Sequence, residues 1–205
     1  DEMVDYATSD YRYDSEGDSI FAMVFNPDLE ALTANQATAG ENINKTILTY
    51  TDFRKAMSLA INRVEYANKC TTSSLAGFGI FNSMHYYDVA NGGVYRNSDE
   101  AKKVLCEIYA VDYTQYDSID DAVAAITGYN VTEAKALVTS AYEAALAAGD
   151  ISATDKVFLT FGSGAITEAV QRRCDFIKAA WQELAVGTPL EGRIDVELVD
   201  FAAAW

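Results

Sequence analysis

The sequence predicts an α/β fold: a mixed, mostly parallel sheet with helices on both faces. Three observations predict it. Short apolar runs rich in β-branched and aromatic residues alternate with longer segments whose apolar positions recur every three or four residues. Lys156–Phe161, Ile166–Leu184 and Arg193–Asp200 read in order as strand, helix and strand, a βαβ unit expected to cross over right-handed with parallel strands. Ser19–Asn26 is almost continuously apolar and closes on Asn26-Pro27, the pattern of a central strand covered on both faces.

Taken in order, residues 1–18 are polar and acidic, with Tyr6, Tyr11 and Tyr13 but no sustained period. They read as an arm with room for a short strand. Asp28–Gly40 has the apolar spacing of a short helix through Leu29, Leu32 and Ala37, and Asn42–Leu48 reads as a connector or brief strand. From Asp52 to Cys70 one helix is expected, because Phe53, Met57, Ala60, Ile61, Val64 and Ala67 fall on one face. Thr51 or Asp52 can cap its start, since a short side-chain oxygen accepts an unpaired N–H of the first turn. Thr71–Asn97 holds Gly77, Gly79, Gly92 and Gly93 among Phe78, Phe81, Tyr86, Tyr87 and Tyr95. It reads as a long irregular loop, a kind of segment that is often functional.

Ser98-Asp99-Glu100 opens a helix through Val104, Leu105 and Ile108, with its first acids at the positive end of the helix dipole. Ser118–Asp121 opens another, to Ile126. Asn130-Val131-Thr132-Glu133 is a capping-box pattern in which Glu133 reaches back to the Asn130 N–H. The helix behind it runs to Ala148, with Gly149 as its stop. After the strand Lys156–Phe161, Gly162-Ser163-Gly164 turns the chain. In Ile166–Leu184 the residues Val170, Phe176 or Ile177, Trp181 and Leu184 face inward. Arg193–Asp200 alternates apolar with acidic side chains, which makes it half exposed or near an edge.

Composition narrows the function classes. The 205 residues suffice for a real core and are read as a single domain over 1–205. The net charge is −16, and no Lys/Arg cluster offers itself to a phosphate backbone, which excludes nucleic acid and disfavours an anionic membrane surface. The plain reading of the charge is solubility. No apolar run approaches the roughly 20 residues of a membrane span. Cys70, Cys106 and Cys174 lie far apart outside any Cys-x-x-Cys pattern, so they read as buried thiols rather than zinc ligands or a disulfide framework. No motif calls for a cofactor. The chain shows neither an initiator Met nor a signal peptide and reads as an excised domain.

Arg54, Ala56, Met57, Leu59, Ala60, Ile61, Asn62 and Arg63 fit an Arg-x-Ala-(Leu/Met)-x-(Leu/Tyr)-Ala-(Ile/Leu)-(Asp/Asn)-Arg run. That run resembles the signature helix of family 5 extracellular solute-binding proteins, the oligopeptide, dipeptide and nickel receptors of ABC importers. Val24-Phe25-Asn26 resembles the family's apolar strand before that helix. Tyr129–Val138 resembles its Tyr-(Asn/Asp)-Pro-x-x-Ala-Lys-x-Leu-(Leu/Val) segment, with Val131 in place of the proline. Val157–Phe161, Ile166–Leu184 and Ile194–Leu198 resemble the strand, helix and strand that follow. The likeness spans Ser19–Asp200 in order, with 98–127 as a helical insertion.

The resemblance implies one lobe of a periplasmic-binding-protein type II-like receptor. It implies a substrate-binding component, not an enzyme, that captures a peptide or other small solute and delivers it to a membrane permease. The implied location is the extracellular face of a bacterial cell envelope, lipid-anchored or periplasmic. The family segment after the last strand, which helps grip the ligand, is not matched here. The fragment is therefore expected to be a monomer or weak dimer and to bind ligand weakly or not at all. Arg54 and Arg63 are expected to anchor the fold through ion pairs or carbonyl contacts.

Five residues are the candidate ligand contacts: His85, Tyr86 and Tyr87 in the aromatic loop, and Gly162 and Ser163 at the Gly-rich turn. Tyrosines offer a rigid apolar face with a polar tip, although the same aromatics can simply pin a long loop down. His85 is the only histidine, so it has no partner for a metal site or a Ser-His-Asp set; it is a surface or packed residue, or a ligand contact. Gly162–Gly164 lies before a helix, where free N–H groups suit an anion; a plain tight turn is the alternative. An unrelated α/β enzyme would need that turn and His85 in one pocket, and a non-catalytic interaction domain would use the Tyr-rich segments as a surface. Asn44-Lys45-Thr46 and Asn130-Val131-Thr132 match the glycosylation triplet.

Overall fold

The computed structural model describes residues 10, 17–71 and 73–201. The N-terminal tyrosines and the paired acids Asp1-Glu2 lie outside that range. The fold is mixed α/β, with seven α-helices and a three-stranded, parallel sheet among the described residues. The chain divides into two compact units: one from Asp1–Ala22 and Gly77–Ile126, the other from Met23–Ala76 and Thr127–Trp205.

The larger unit opens with α1, Leu29–Thr38, whose Asp28 carboxylate caps the Ala31 N–H at 2.7 Å. A brief strand β1, Ile43–Asn44, leads into a 3-10 turn at Thr46–Thr49. The expected helix over Asp52–Cys70 is instead two, α2 (Thr51–Leu59) and α3 (Arg63–Cys70). Asn62 breaks it. Its backbone is extended at ψ 100°, and its side-chain oxygen accepts the Glu65 N–H at 3.1 Å, starting a new helix. This competition of a short polar side chain with the backbone ladder is what keeps Asn at caps. Phe53, Ala56 and Met57 of α2 are fully buried. Complete burial of a Phe or Met is worth roughly 1.5–3 kcal/mol, far more than local propensity, so packing rather than propensity holds this short helix.

Helix α6, Val131–Ala148, begins at Asn130 and ends at Gly149. Strand β4 is Lys156–Ser163, helix α7 is Glu168–Ala185, and strand β5 is Ile194–Asp200. The sheet order is β1-β4-β5 and both pairings are parallel. Val157 stands opposite Ile194, Leu159 opposite Val196, and Phe161 opposite Leu198. The first four of these are buried and join Phe53, Met57, Val138, Tyr142, Ile177, Trp181 and Leu184 in the main core. The expected helices on both faces are not seen among the described residues. The other face carries Lys156, Phe158, Thr160 and Glu197, all exposed or half-exposed.

Ser19–Asn26 is not a strand. Phe21 and Val24 are 89% and 85% exposed. β-branched and aromatic residues favour strands only where a neighbour pairs and a face is covered, and no described strand lies beside this segment. Phe25 packs on Trp181, with ring centroids 5.9 Å apart, and Asn26 ends the run by accepting the Asp28 N–H at 3.0 Å.

In the smaller unit, helices α4 (Asp99–Ile108) and α5 (Ile119–Ala124) pack around Cys106, Ala122 and Ile126. Ser98 and Ser118 cap them, and Lys102 pairs with Asp120 at 2.6 Å. The aromatic segment is mostly irregular but contains a hairpin of β2 (Tyr86–Asp88) and β3 (Gly93–Val94).

Candidate functional site

His85, Tyr86 and Tyr87 belong to the smaller unit, Gly162 and Ser163 to the larger. The five expected contacts therefore form two groups, each shaped by its own local chemistry.

At the hairpin, the Asn82 side-chain oxygen accepts the Met84 N–H at 2.9 Å and faces His85 Nδ1 at 2.8 Å. An amide oxygen accepts, so Nδ1 is the donor of this pair. The imidazole meets Phe81 edge-on at 5.2 Å, and Phe81 meets Tyr95 the same way at 4.6 Å. Asn82 Nδ2 donates to the Asp18 carbonyl, tying the end of the arm to this turn. Tyr86 pairs with Val94 across the hairpin. The Tyr87 ring lies against Gly93, where a Cβ would stand 2.8 Å from its Cζ. Ile80, Met84, Tyr87 and Val89 are largely exposed, so the hairpin presents apolar side chains outward.

In the larger unit the expected Gly162-Ser163-Gly164 turn is corrected: β4 runs through Ser163, which stands opposite Asp200 of β5. The turn is Gly164-Ala165, and Ser163 Oγ donates to the Ala165 carbonyl at 3.1 Å. The Phe201 ring lies directly on Gly162, in the space a Cβ would fill. Gly162 is thus a packing position inside a strand rather than part of an anion cradle. Helix α7 starts two residues later than expected, behind Thr167, whose hydroxyl accepts the Val170 N–H at 3.3 Å.

Sequence reasoning passed over Lys45. It is only 8% exposed. Its Nζ donates to the Phe158 carbonyl at 3.0 Å and to Thr160 Oγ1 at 3.1 Å, and it lies 5.1 Å from the Phe158 ring centre. Burial lowers its pKa, and the Glu197 carboxylate opposes that shift. A lysine in the apolar stretch Ile43–Leu48 was the available signal. In the sequence it also stands as the middle residue of the Asn44-Lys45-Thr46 triplet. That triplet is closed, since Asn44 is fully buried and its Nδ2 donates to the Asp150 carbonyl at 2.7 Å. Asn130, of the second triplet, is committed as a cap: its oxygen accepts the Glu133 N–H at 3.1 Å. The Glu133 carboxylate accepts from Asn130 Nδ2 at 3.0 Å, not from the Asn130 N–H as expected.

The Asn130 N–H goes instead to the Leu59 carbonyl at 2.9 Å. This joins the two motif segments, and Arg63 reinforces the joint by donating to the Gly128 carbonyl at 3.0 Å and to Ser58 Oγ at 2.9 Å. Arg54 donates to the carbonyls of Leu48 and Thr49 at 2.6 and 2.8 Å. Trp181 Nε1 donates to the Met57 carbonyl at 2.9 Å, tying α7 to the same helix. Both arginines therefore anchor carbonyls, as expected.

Among the described residues no group of three or more His, Cys, Asp and Glu converges to hold a metal ion, and no helix is long and apolar enough to cross a membrane. All three cysteines are buried and free, and burial raises the pKa of each thiol. No family model, curated protein or solved structure matches the chain.

Proposed function

We propose that this chain is a solute-capturing lobe of the family 5 extracellular solute-binding type, taking short peptides without acting on them chemically. The receptor it belongs to would present the captured peptide to a membrane permease at the outer face of a bacterial envelope. Capture of this kind relies on backbone hydrogen bonds and on lobes that close by hinge motion.

The observation that supports the reading is the joint between the two motif segments. Arg54–Arg63 and Tyr129–Val138 are far apart in sequence, yet Asn130 N–H bonds Leu59 and Arg63 bonds Gly128. Residues that carry the family wording thus share one framework. The exposed hairpin, with Met84, Tyr87 and Val89 outward, favours a second reading, a non-catalytic interaction surface.

One experiment separates these. Pools of di- to pentapeptides are titrated into isotope-labelled protein, followed by amide chemical shifts and by mass spectrometry of the peptides. The expected result is weak, saturable shifts in the Met23–Ala76 and Thr127–Phe201 segments at about millimolar peptide, with every peptide recovered intact. Cleaved peptides would replace capture with catalysis. Shifts confined to Tyr86–Val94 would favour the interaction surface, and no shift with any pool would sink the peptide reading.

A further inference from the structure

The sheet has an unused edge. Strand β1 pairs with β4 only through Ile43–Lys156 and Asn44–Val157. The Asn44–Val157 pairing takes the Phe158 N–H to the Asn44 carbonyl, and beyond it, among the described residues, β4 pairs with no strand on that side. The direction of its backbone groups follows from their partners. Val157 N–H donates to the Arg193 carbonyl, toward β5, and Lys156 N–H to the Asn42 carbonyl, toward β1. Alternate residues of a strand address opposite neighbours, so Phe158, Thr160 and Gly162 address the β1 side, and Thr160 and Gly162 lie past the end of β1. The Phe158 carbonyl is met there by Lys45 Nζ at 3.0 Å. Thr160, at the middle of the edge, is exposed.

We infer that this edge of β4 is a strand-addition site for an extended peptide, which pairs with Thr160 and Gly162 and sets its C-terminal carboxylate against the Lys45 ammonium. The inference rests on the peptide-capture reading and adds a place and a direction to it. Two N–H and two C=O groups, on Thr160 and Gly162, match the main chain of a tri- or tetrapeptide at roughly 3.3 Å per residue. An added strand would continue the line of β1, so its near end abuts Lys45. That ammonium has three protons and spends two on Phe158 and Thr160. A carboxylate suits the third, in a charge-assisted bond that is stronger than a neutral one. Because β4 runs away from Lys45, a peptide with its C-terminus there lies antiparallel to β4. The Phe201 ring covers Gly162 on the sheet face, where a Cβ would project.

Amide hydrogen exchange on the whole chain tests this, with a neutral tetrapeptide of Ala and Val and its C-terminal amide as probes. In the free protein the Thr160 and Gly162 amides are expected to exchange fast. The free-acid peptide should slow both by tenfold or more at saturation, and the amidated peptide should need about tenfold higher concentration. Thr160→Pro removes the central donor at an edge position where proline is tolerated and should abolish the effect. The comparison of acid with amide stands on the unaltered protein if that variant fails to fold. Amides already protected without peptide would show that the chain fills its own edge and would overturn the inference. Equal binding of acid and amide would remove Lys45 from it. Peptide-induced shifts that spare Thr160 and Gly162 would overturn the site while leaving peptide capture intact. No engagement by any peptide would end both.

Discussion

Tyr50 shows how a single side chain links the fold to pH. Its hydroxyl donates to Asp150 Oδ2 at 2.6 Å, and that bond, with burial and the Asp150 charge adding to it, raises its pKa from 10.0 to about 12. A group whose folded pKa lies above its unfolded value stabilises the fold below the unfolded value and loses that contribution as pH rises through the folded one. The link between the 3-10 turn and the end of α6 should therefore hold to about pH 10 and weaken toward about pH 12. Ultraviolet titration of tyrosinate should reveal a late-titrating tyrosine that disappears in Tyr50→Phe. An unchanged titration curve in that variant would contradict the assignment. At the same scale Asn44 and Lys45 lie outside what periodicity conveys. Their importance comes from buried bonds to Asp150, Phe158 and Thr160, more than 100 residues away in sequence.

At the scale of elements, the break between α2 and α3 is decided by one cap. Ile61 still bonds back to Ser58 at 3.3 Å, while Asn62 turns extended and captures the Glu65 N–H. Asn62→Ala should cost about 1 kcal/mol and Asn62→Gly only a few tenths, measured as a shift in urea midpoint at constant slope. Equal losses for the two would mean that the Asn62 side chain contributes something other than capping. The caps at Asp28, Ser98, Ser118 and Asn130 and the stop at Gly149 follow directly from residue type. The continuous helix expected over Asp52–Cys70 did not form, because an apolar face can continue through a point where the backbone does not. The expected strand at Ser19–Asn26 failed for the converse reason: its composition suits a sheet, but composition supplies no partner, and no described strand pairs with it.

For the molecule as a whole, the two units differ in what holds them. The larger shares one core from Ile47 to Val196, while the smaller rests on Cys106, Ala122 and Ile126 with partly buried neighbours. Regions with few buried apolar contacts open at lower free energy than the main core. Native-state hydrogen exchange should therefore show α4 and α5 opening well below the free energy needed to expose α2, α6 and β4. Opening of all helices at one common free energy would show instead that the units unfold as one.

The sequence by itself determined the positions of most helices, the starts at Ser98, Ser118 and Asn130, the stop at Gly149, the two long strands and the burial of the three cysteines. Each depends on residues within a few positions of one another or on a periodicity readable along the chain. The expected Thr51 or Asp52 cap is absent, since the first helix of that stretch begins behind Tyr50 with no side-chain cap. Only the tertiary structure decided that β4 runs through Ser163, that Phe201 occupies the space above Gly162, and that His85 and Ser163 fall in different units. It also decided that Lys45 stands at an open strand edge. Strand pairing and desolvation draw their free energy from partners distant in sequence, and no local pattern records which partner arrives.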